Sequence, residues 1–171
     1  MQNLNQKVFY FFNNLALQNE ILDTIVIFIT DWLIYWMLFV VLLLFLFKKI
    51  KLKVLLRILI LSSLTWLIAK VIREFYFSPR PFLALENVKS LILHGANDSM
   101  PSGHSVLASA LAFMAYFYNK KVGVIFAISA ILIALSRIIV GVHWPLDVLL
   151  GLIFGVTISY LLNKYIKTTW F

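Results

Sequence analysis

The stretch Ser136-Arg137-Ile138-Ile139-Val140-Gly141-Val142-His143-Trp144-Pro145-Leu146-Asp147 sets an Arg, a His and an Asp between two long apolar runs. Ionisable groups beside or within membrane spans are costly, so they call for a functional explanation. His143 and Asp147 are four residues apart, which puts them on one face of a helix that begins between them. Pro145 favours such a start, because proline is well tolerated in the first helical turn. The stretch reads as a polar turn between two spans, and the other charged segments are placed relative to it.

The 171 residues around it are 63% hydrophobic and 13% charged, with a mean hydropathy of +0.96. Soluble domains are about half apolar and about a quarter charged. A water-soluble fold has no room to hide this much apolar surface, so the chain reads as an integral membrane protein of one domain, residues 1–171. Its length allows roughly five or six spans of about 20 residues. The net charge of +8 and pI near 9.8 invite a nucleic-acid reading. In a membrane protein, however, surplus Lys and Arg mostly encode topology, and no nucleic-acid partner is expected. Without cysteines there is no disulfide and no thiolate metal site. The start of the chain lacks the pattern of a cleavable signal peptide, and the expectation is that it is retained.

In residues 3–19, Val8, Phe11, Phe12 and Leu15 recur at helical spacing among Asn and Gln, which fits a short interfacial helix better than a span, a frayed terminus being the alternative. Spans are expected at about 22–47, 54–77, 103–118, 122–140 and 145–166. The whole is thus an all-α polytopic membrane bundle of about five spans plus the N-terminal helix. Asp31 falls inside the first run and is read as lying at headgroup level. Residues 78–102 form the longest polar connection, with a short helix expected over 88–93. Loops of that length are usually functional or disordered.

These spans put loops on alternating sides. Lys48, Lys49, Lys51, Lys53, Arg57, Lys120, Lys121, Lys164 and Lys167 share one side with the C-terminus and no acid. Glu20, Asp23, Asp31, Glu74, Glu86, Asp98 and Asp147 all fall on the other. The positive-inside rule makes the first side cytoplasmic and turns the 137–147 segment outward.

This topology gathers three polar segments on the outer face: residues 73–81, 100–105 and 136–147. Arg73, Arg80 and Arg137 suit the clamping of phosphate oxygens by forked, charge-assisted hydrogen bonds. Ser102 reads as an N-cap, leaving the Gly103 and His104 N–H groups pointing at the anion, and Gly103 allows close backbone approach. His143 is a candidate nucleophile held in one tautomer by Asp147, and His104 a candidate acid for the leaving oxygen. The set has too few acids to hold a divalent metal well, so no metal and no cofactor are expected.

The three segments resemble the type 2 phosphatidic acid phosphatase (PAP2) superfamily, whose motifs are Lys-x6-Arg-Pro, Pro-Ser-Gly-His and Ser-Arg-x5-His-x3-Asp. The chain has Arg73-x6-Arg80-Pro81, Pro101-Ser102-Gly103-His104 and Ser136-Arg137-x5-His143-x3-Asp147. The second and third match at every defined position. The first has Arg73 where the family usually has Lys, a planar fork in place of a point charge. Lys70, one turn deeper, is a candidate for part of that role, with a pair to Glu74 at i+4 the preferred reading. The matching core is residues 73–147. The resemblance implies a metal-independent phosphatase with a phosphohistidine on His143, His104 as general acid, and Arg73, Arg80, Ser102, Gly103 and Arg137 binding phosphate. The small size and the Pro-Arg-Pro-Phe run at 79–82 resemble bacterial members acting on undecaprenyl diphosphate. Phosphatidylglycerophosphate, phosphatidate and lipid A phosphates are alternatives, and a non-enzymatic lipid transporter or scaffold is a reading of another class. The expected partners are a phosphorylated lipid and the bilayer, in a plasma or inner membrane; oligomeric state is not legible.

Outside the motifs, His94 reads as a loop histidine without a role and Asn97-Asp98-Ser99 as a glycosylation sequon. Trp32, Trp36, Trp66, Trp144 and Trp170 fall mostly near span ends, as an aromatic belt does, and Trp144 is also a candidate for the site wall.

Overall fold

A computed structural model describes residues 4–75, 78–93, 95 and 99–166. His94, Asn97, Asp98, Lys167 and Trp170 lie outside the described residues. The regular structure of the described residues is all helical: α1 Leu4–Asn13, α2 Glu20–Asp31, α3 Leu33–Leu46, α4 Leu52–Glu74, α5 Pro81–Ala84, α6 Gly103–Tyr118, α7 Lys120–Ile139 and α8 Pro145–Ile166. Local chemistry sets several boundaries. Asn19 Oδ1 accepts from the N–H groups of Ile21 and Leu22, and Asn119 Oδ1 from those of Lys121 and Val122, so each caps a helix start. Pro145 does open α8.

Three helices (α4, α7 and α8) are long and apolar enough to cross a membrane, and α2 with α3 makes a fourth if the bent pair is one span. The chain is a membrane protein. The first span expected over 22–47 is not one continuous helix. It breaks at Trp32 with a bend of 52°. There the Trp32 N–H closes α2 on Phe28 O, while Trp32 O accepts from Tyr35 and Trp36 and opens α3. Asp31 therefore sits at a break in the backbone rather than on a continuous helix.

The 16-residue α6 is shorter than the expected third span needs to be alone, but it is the centre of the bundle, packed against α4, α7 and α8. Its buried Ala108, Ser109, Ala110, Ala112 and Ala115 are small, which lets neighbouring backbones come close. The facing residues of α8 are small too. A Cβ on Gly151 would lie 2.9 Å from Ser102 O, and one on Gly155 would meet Val106 O and Ser109 Oγ more closely still. This tight seam seats the first turn of α8 against the first turn of α6. Ile58, Leu61, Leu111, Met114 and Ile133 fill the core, while Ile60, Ile128, Ile131 and Ile153 face outward, as a lipid-facing surface requires. Arg57 is no surface cation: it is buried, with Nε donating to Asn163 Oδ1 and Nη2 to Asn163 O, both at 3.0 Å.

The N-terminal helix forms, but it docks on the bundle instead of only lying at an interface. Phe9 is fully buried against the region of Ala134, Ile138 and Val148. Asn13 donates Nδ2 to Lys89 O (2.8 Å) and Ile139 O (2.9 Å) and accepts the Lys89 N–H (3.0 Å). The helix expected over 88–93 is not formed; that segment is irregular, and its polar backbone is met by Asn13 and by the Leu91 N–H bond to Val140 O. Gly141 takes φ +85° where this segment crosses the end of α7, with Lys89 O only 2.8 Å from where a Cβ would be.

Candidate active site

One end of the bundle collects the C-terminal ends of α4 and α7, the loop through Arg80, the N-termini of α6 and α8, and the 140–144 turn. The turn is wound onto α7: the Val142 and His143 N–H groups both reach Arg137 O at 3.3 Å. His143 is thereby folded inward and buried to 2% exposure. Its Nδ1 lies 3.5 Å from Asp147 Oδ2, across the turn of helix that Pro145 starts. Its other nitrogen, Nε2, lies 3.4 Å from Arg80 Nη1. Arg80 is held in turn by donation from Nη1 to Val142 O at 2.9 Å. Asp147 Oδ2 also accepts the Trp144 N–H (2.9 Å) and the Ser99 hydroxyl, and Asp147 O accepts the Ser102 N–H (3.1 Å).

Arg80 and Arg137 are each about 1% exposed. Arg137 Nε and Nη2 and the hydroxyls of Ser102 and Ser105 are buried with no protein partner. Buried donors of this kind ordinarily find partners, and an open guanidinium edge suits the oxygens of a tetrahedral anion. Ser102 occupies the N-cap position but makes no capping bond through its side chain, contrary to the expected cap. Its N–H is committed to Asp147 O, and its hydroxyl has no protein partner. The first N–H groups of α6, at Gly103 and His104, need partners from outside the helix. Arg73 lies over this helix start: its Nη2 would be 2.9 Å from a Cβ on Gly103, and Trp66 Nε1 3.1 Å from it. Lys70 does not pair with Glu74. Its ammonium sits over the Trp66 ring, 5.7 Å from the centroid, because Trp66 lies one turn back on the same helix face.

His104 is half-buried at the mouth. It lines one cavity with Asp31, Trp32 and Tyr35 and a second with Ile34, Tyr35, Leu38, Trp66, Gly103 and Leu107. The bend at Trp32 is what brings Asp31 there. A headgroup reading of Asp31 missed this, and no local signal marked it. Trp144 is a strut rather than a wall: Nε1 donates to Pro79 O (2.9 Å), and its ring packs on Phe9 at 5.5 Å. Ser99, read only as part of a sequon, is fully buried beside His143 and Asp147.

Burial pushes the His143 imidazole well below its usual value of 6.5, and the charges of Arg137, Arg80, Arg73 and His104 push it further. It is therefore neutral at physiological pH, with a lone pair available on one nitrogen. Among the described residues no three His, Cys, Asp or Glu side chains come together as metal ligands do.

A buried His–Asp pair opposite three guanidiniums, at the end of an apolar helical bundle, defines the class of phosphate-handling membrane proteins. Residues 51–171 match the family model of the PAP2 superfamily, and the chain belongs to that superfamily. It is 32% identical over 163 residues to the undecaprenyl-diphosphatase BcrC of Bacillus subtilis, covering 95% of this chain and 84% of that protein. It is 30% identical over 118 residues to the phosphatidylglycerophosphatase B of the same organism, covering 63% of this chain and 55% of that one. Among solved structures, LpxE of Aquifex aeolicus superposes with a TM-score of 0.80 at 29% identity, covering 96% of this chain and 97% of that one.

Proposed function

We propose that this protein is a metal-independent lipid phosphatase that removes the terminal phosphate of undecaprenyl diphosphate through a phosphohistidine on His143. The carrying observation is the orientation of His143: Nδ1 towards Asp147 at 3.5 Å, Nε2 towards Arg80 at 3.4 Å. Nε2 attacks the terminal phosphorus while Arg73, Arg80, Arg137, Ser102 and the N–H groups of Gly103 and His104 hold its oxygens. The bond from that phosphorus to the bridging oxygen breaks, and His104 gives the oxygen its proton. Undecaprenyl phosphate leaves. Water then attacks the phosphohistidine, His104 takes the water's proton, and inorganic phosphate and free His143 are regenerated.

The likeness to an undecaprenyl-diphosphatase over nearly the whole chain supports this substrate. The shorter likeness to a phosphatidylglycerophosphatase supports phosphatidylglycerophosphate as the second reading. The segregation of cations from acids supports an outward-facing site, in a plasma or inner membrane with a cytoplasmic C-terminus. The test is phosphate release by purified protein in detergent containing EDTA, on a panel of undecaprenyl diphosphate, phosphatidylglycerophosphate, phosphatidate and lipid A. The highest kcat/KM is expected for undecaprenyl diphosphate. Release that depends on added Mg2+ would refute the metal-free mechanism. No release from any of the panel would refute the enzyme in favour of a lipid transporter or scaffold.

A further inference from the structure

Asp147 Oδ2 is a crowded atom. It accepts the Trp144 N–H at 2.9 Å and the Ser99 hydroxyl, and it stands 3.5 Å from His143 Nδ1, longer than a well-formed hydrogen bond. Ser99 Oγ is itself 3.4 Å from His143 Nδ1. With its own proton given to Asp147, that oxygen offers a lone pair to the Nδ1–H. Ser99 is 0% exposed, and its backbone is pinned by the Ser99 N–H bond to Ser78 O at 2.8 Å, two residues before Arg80. Ser99 belongs to none of the three phosphatase motifs, only to the Asn97-Asp98-Ser99 sequon, and its hydroxyl is committed to this pair.

We propose that Ser99 is a positioning residue of the reaction: its hydroxyl fixes the Asp147 carboxylate and bridges it to His143, keeping Nδ1 protonated and Nε2 open towards the arginines. Trp144 alone places a single constraint on the carboxylate, which turns freely about its last torsion. Ser99 supplies the second constraint and closes the gap that the direct His143–Asp147 contact leaves. It acts through Asp147 and touches no substrate. The role rests on the phosphatase reading for its consequence in turnover, but not for its geometry.

The test uses the full chain in detergent, with undecaprenyl diphosphate and phosphatidylglycerophosphate as probes. Ser99→Ala is expected to lower kcat by about 10- to 100-fold, the usual cost of removing a group that orients a functional ligand, with KM within about three-fold. In an Asp147→Asn background the same change is expected to cost less than about three-fold, because the group it acts through is already altered. Ser99→Thr, which keeps the hydroxyl, is expected to recover most of the activity. A Ser99→Ala enzyme within about two-fold of wild-type kcat, or losses that multiply in the double variant, would overturn the proposal. The 15N signals of labelled histidine give a readout independent of turnover. His143 is expected as the Nδ1-protonated tautomer in the wild type and as a mixture in Ser99→Ala, and an unchanged tautomer would overturn the proposal as well. Wild-type protein inactive on both probes, but with the expected tautomer change, would support Ser99's role and count against the phosphatase reading alone.

Discussion

Gly103→Ala separates catalysis from folding at this site. The new Cβ would lie 2.9 Å from Arg73 Nη2 and 3.1 Å from Trp66 Nε1. Non-bonded heavy atoms settle at about 3.5 Å or more, so the guanidinium has to retreat by roughly half an ångström. That is enough to spoil a charge-assisted hydrogen bond, whose net worth is about 1.5–3 kcal/mol. At about 1.4 kcal/mol per decade, kcat/KM on undecaprenyl diphosphate is expected to fall by roughly 10- to 150-fold. Gly103 is the first residue of α6, and the atoms it crowds are the ends of side chains, so the fold itself should tolerate the change. Scanning fluorimetry in detergent should show a cooperative transition close to that of the wild type. Arg73→Ala should lose a similar factor, and adding Gly103→Ala to it should cost under about three-fold. Arg73→Lys, which restores the residue usual in the family, should stay within about ten-fold, because the cation is kept and only its fork is lost. Near-normal activity in folded Gly103→Ala, or a full second loss on top of Arg73→Ala, would refute the reasoning that Arg73 holds the phosphate over this helix start.

His143→Ala should abolish turnover on every lipid of the panel; substantial residual phosphate release would remove His143 as the nucleophile. The imidazole is also a pH-dependent element of stability. Its folded value lies below the unfolded 6.5, so below about pH 6.5 the unfolded chain binds more protons than the folded one. Stability is therefore complete above that pH and lost as pH falls beneath it. Melting temperatures from pH 7.5 to 5.0 should drop in the wild type and flatten in His143→Ala; equal slopes would contradict the assignment. Far from the site, Asn163→Leu removes the Oδ1 partner of Arg57 Nε inside the bundle, which should cost about 1–3 kcal/mol in stability while leaving KM near normal. A variant as stable as the wild type would show that the buried guanidinium finds another acceptor.

What could be read along the chain was whatever is encoded locally. The spacing of His143 and Asp147 and the proline between them specify a helix start, and α8 begins at Pro145 as those residues demand. The apolar runs specify helices, and the alternation of cations and acids brings residues 73–81, 100–105 and 136–147 to one end. What escaped depends on contacts between distant residues. The break at Trp32 carries no proline or glycine, so the run over 22–47 gave no sign that Asp31 would turn towards His104. Arg57 looked like one more entrance cation, because its partner Asn163 is 106 residues away. Asn13 looked like one polar residue among several in an interfacial helix, yet it is nearly fully buried against Lys89 and Ile139.

The same division runs through the site. The charged groups are legible because no apolar span tolerates them without a reason. The groups that aim them are not, because Ser99, Trp66 and the backbone of Pro79 are ordinary residues whose roles come from position alone. Ser102 shows how far local rules reach: it stands at the N-cap position its sequence specifies, but its side chain makes no capping bond. The first turn of α8 takes its N–H, and its hydroxyl is left buried without a protein partner. An unmade hydrogen bond does not by itself mark a binding site: Thr30 and Ser62 carry one as well as Ser102, Ser105 and Arg137. It points to an anion only where it stands with the charged groups that no apolar span tolerates without a reason, as it does at Arg137.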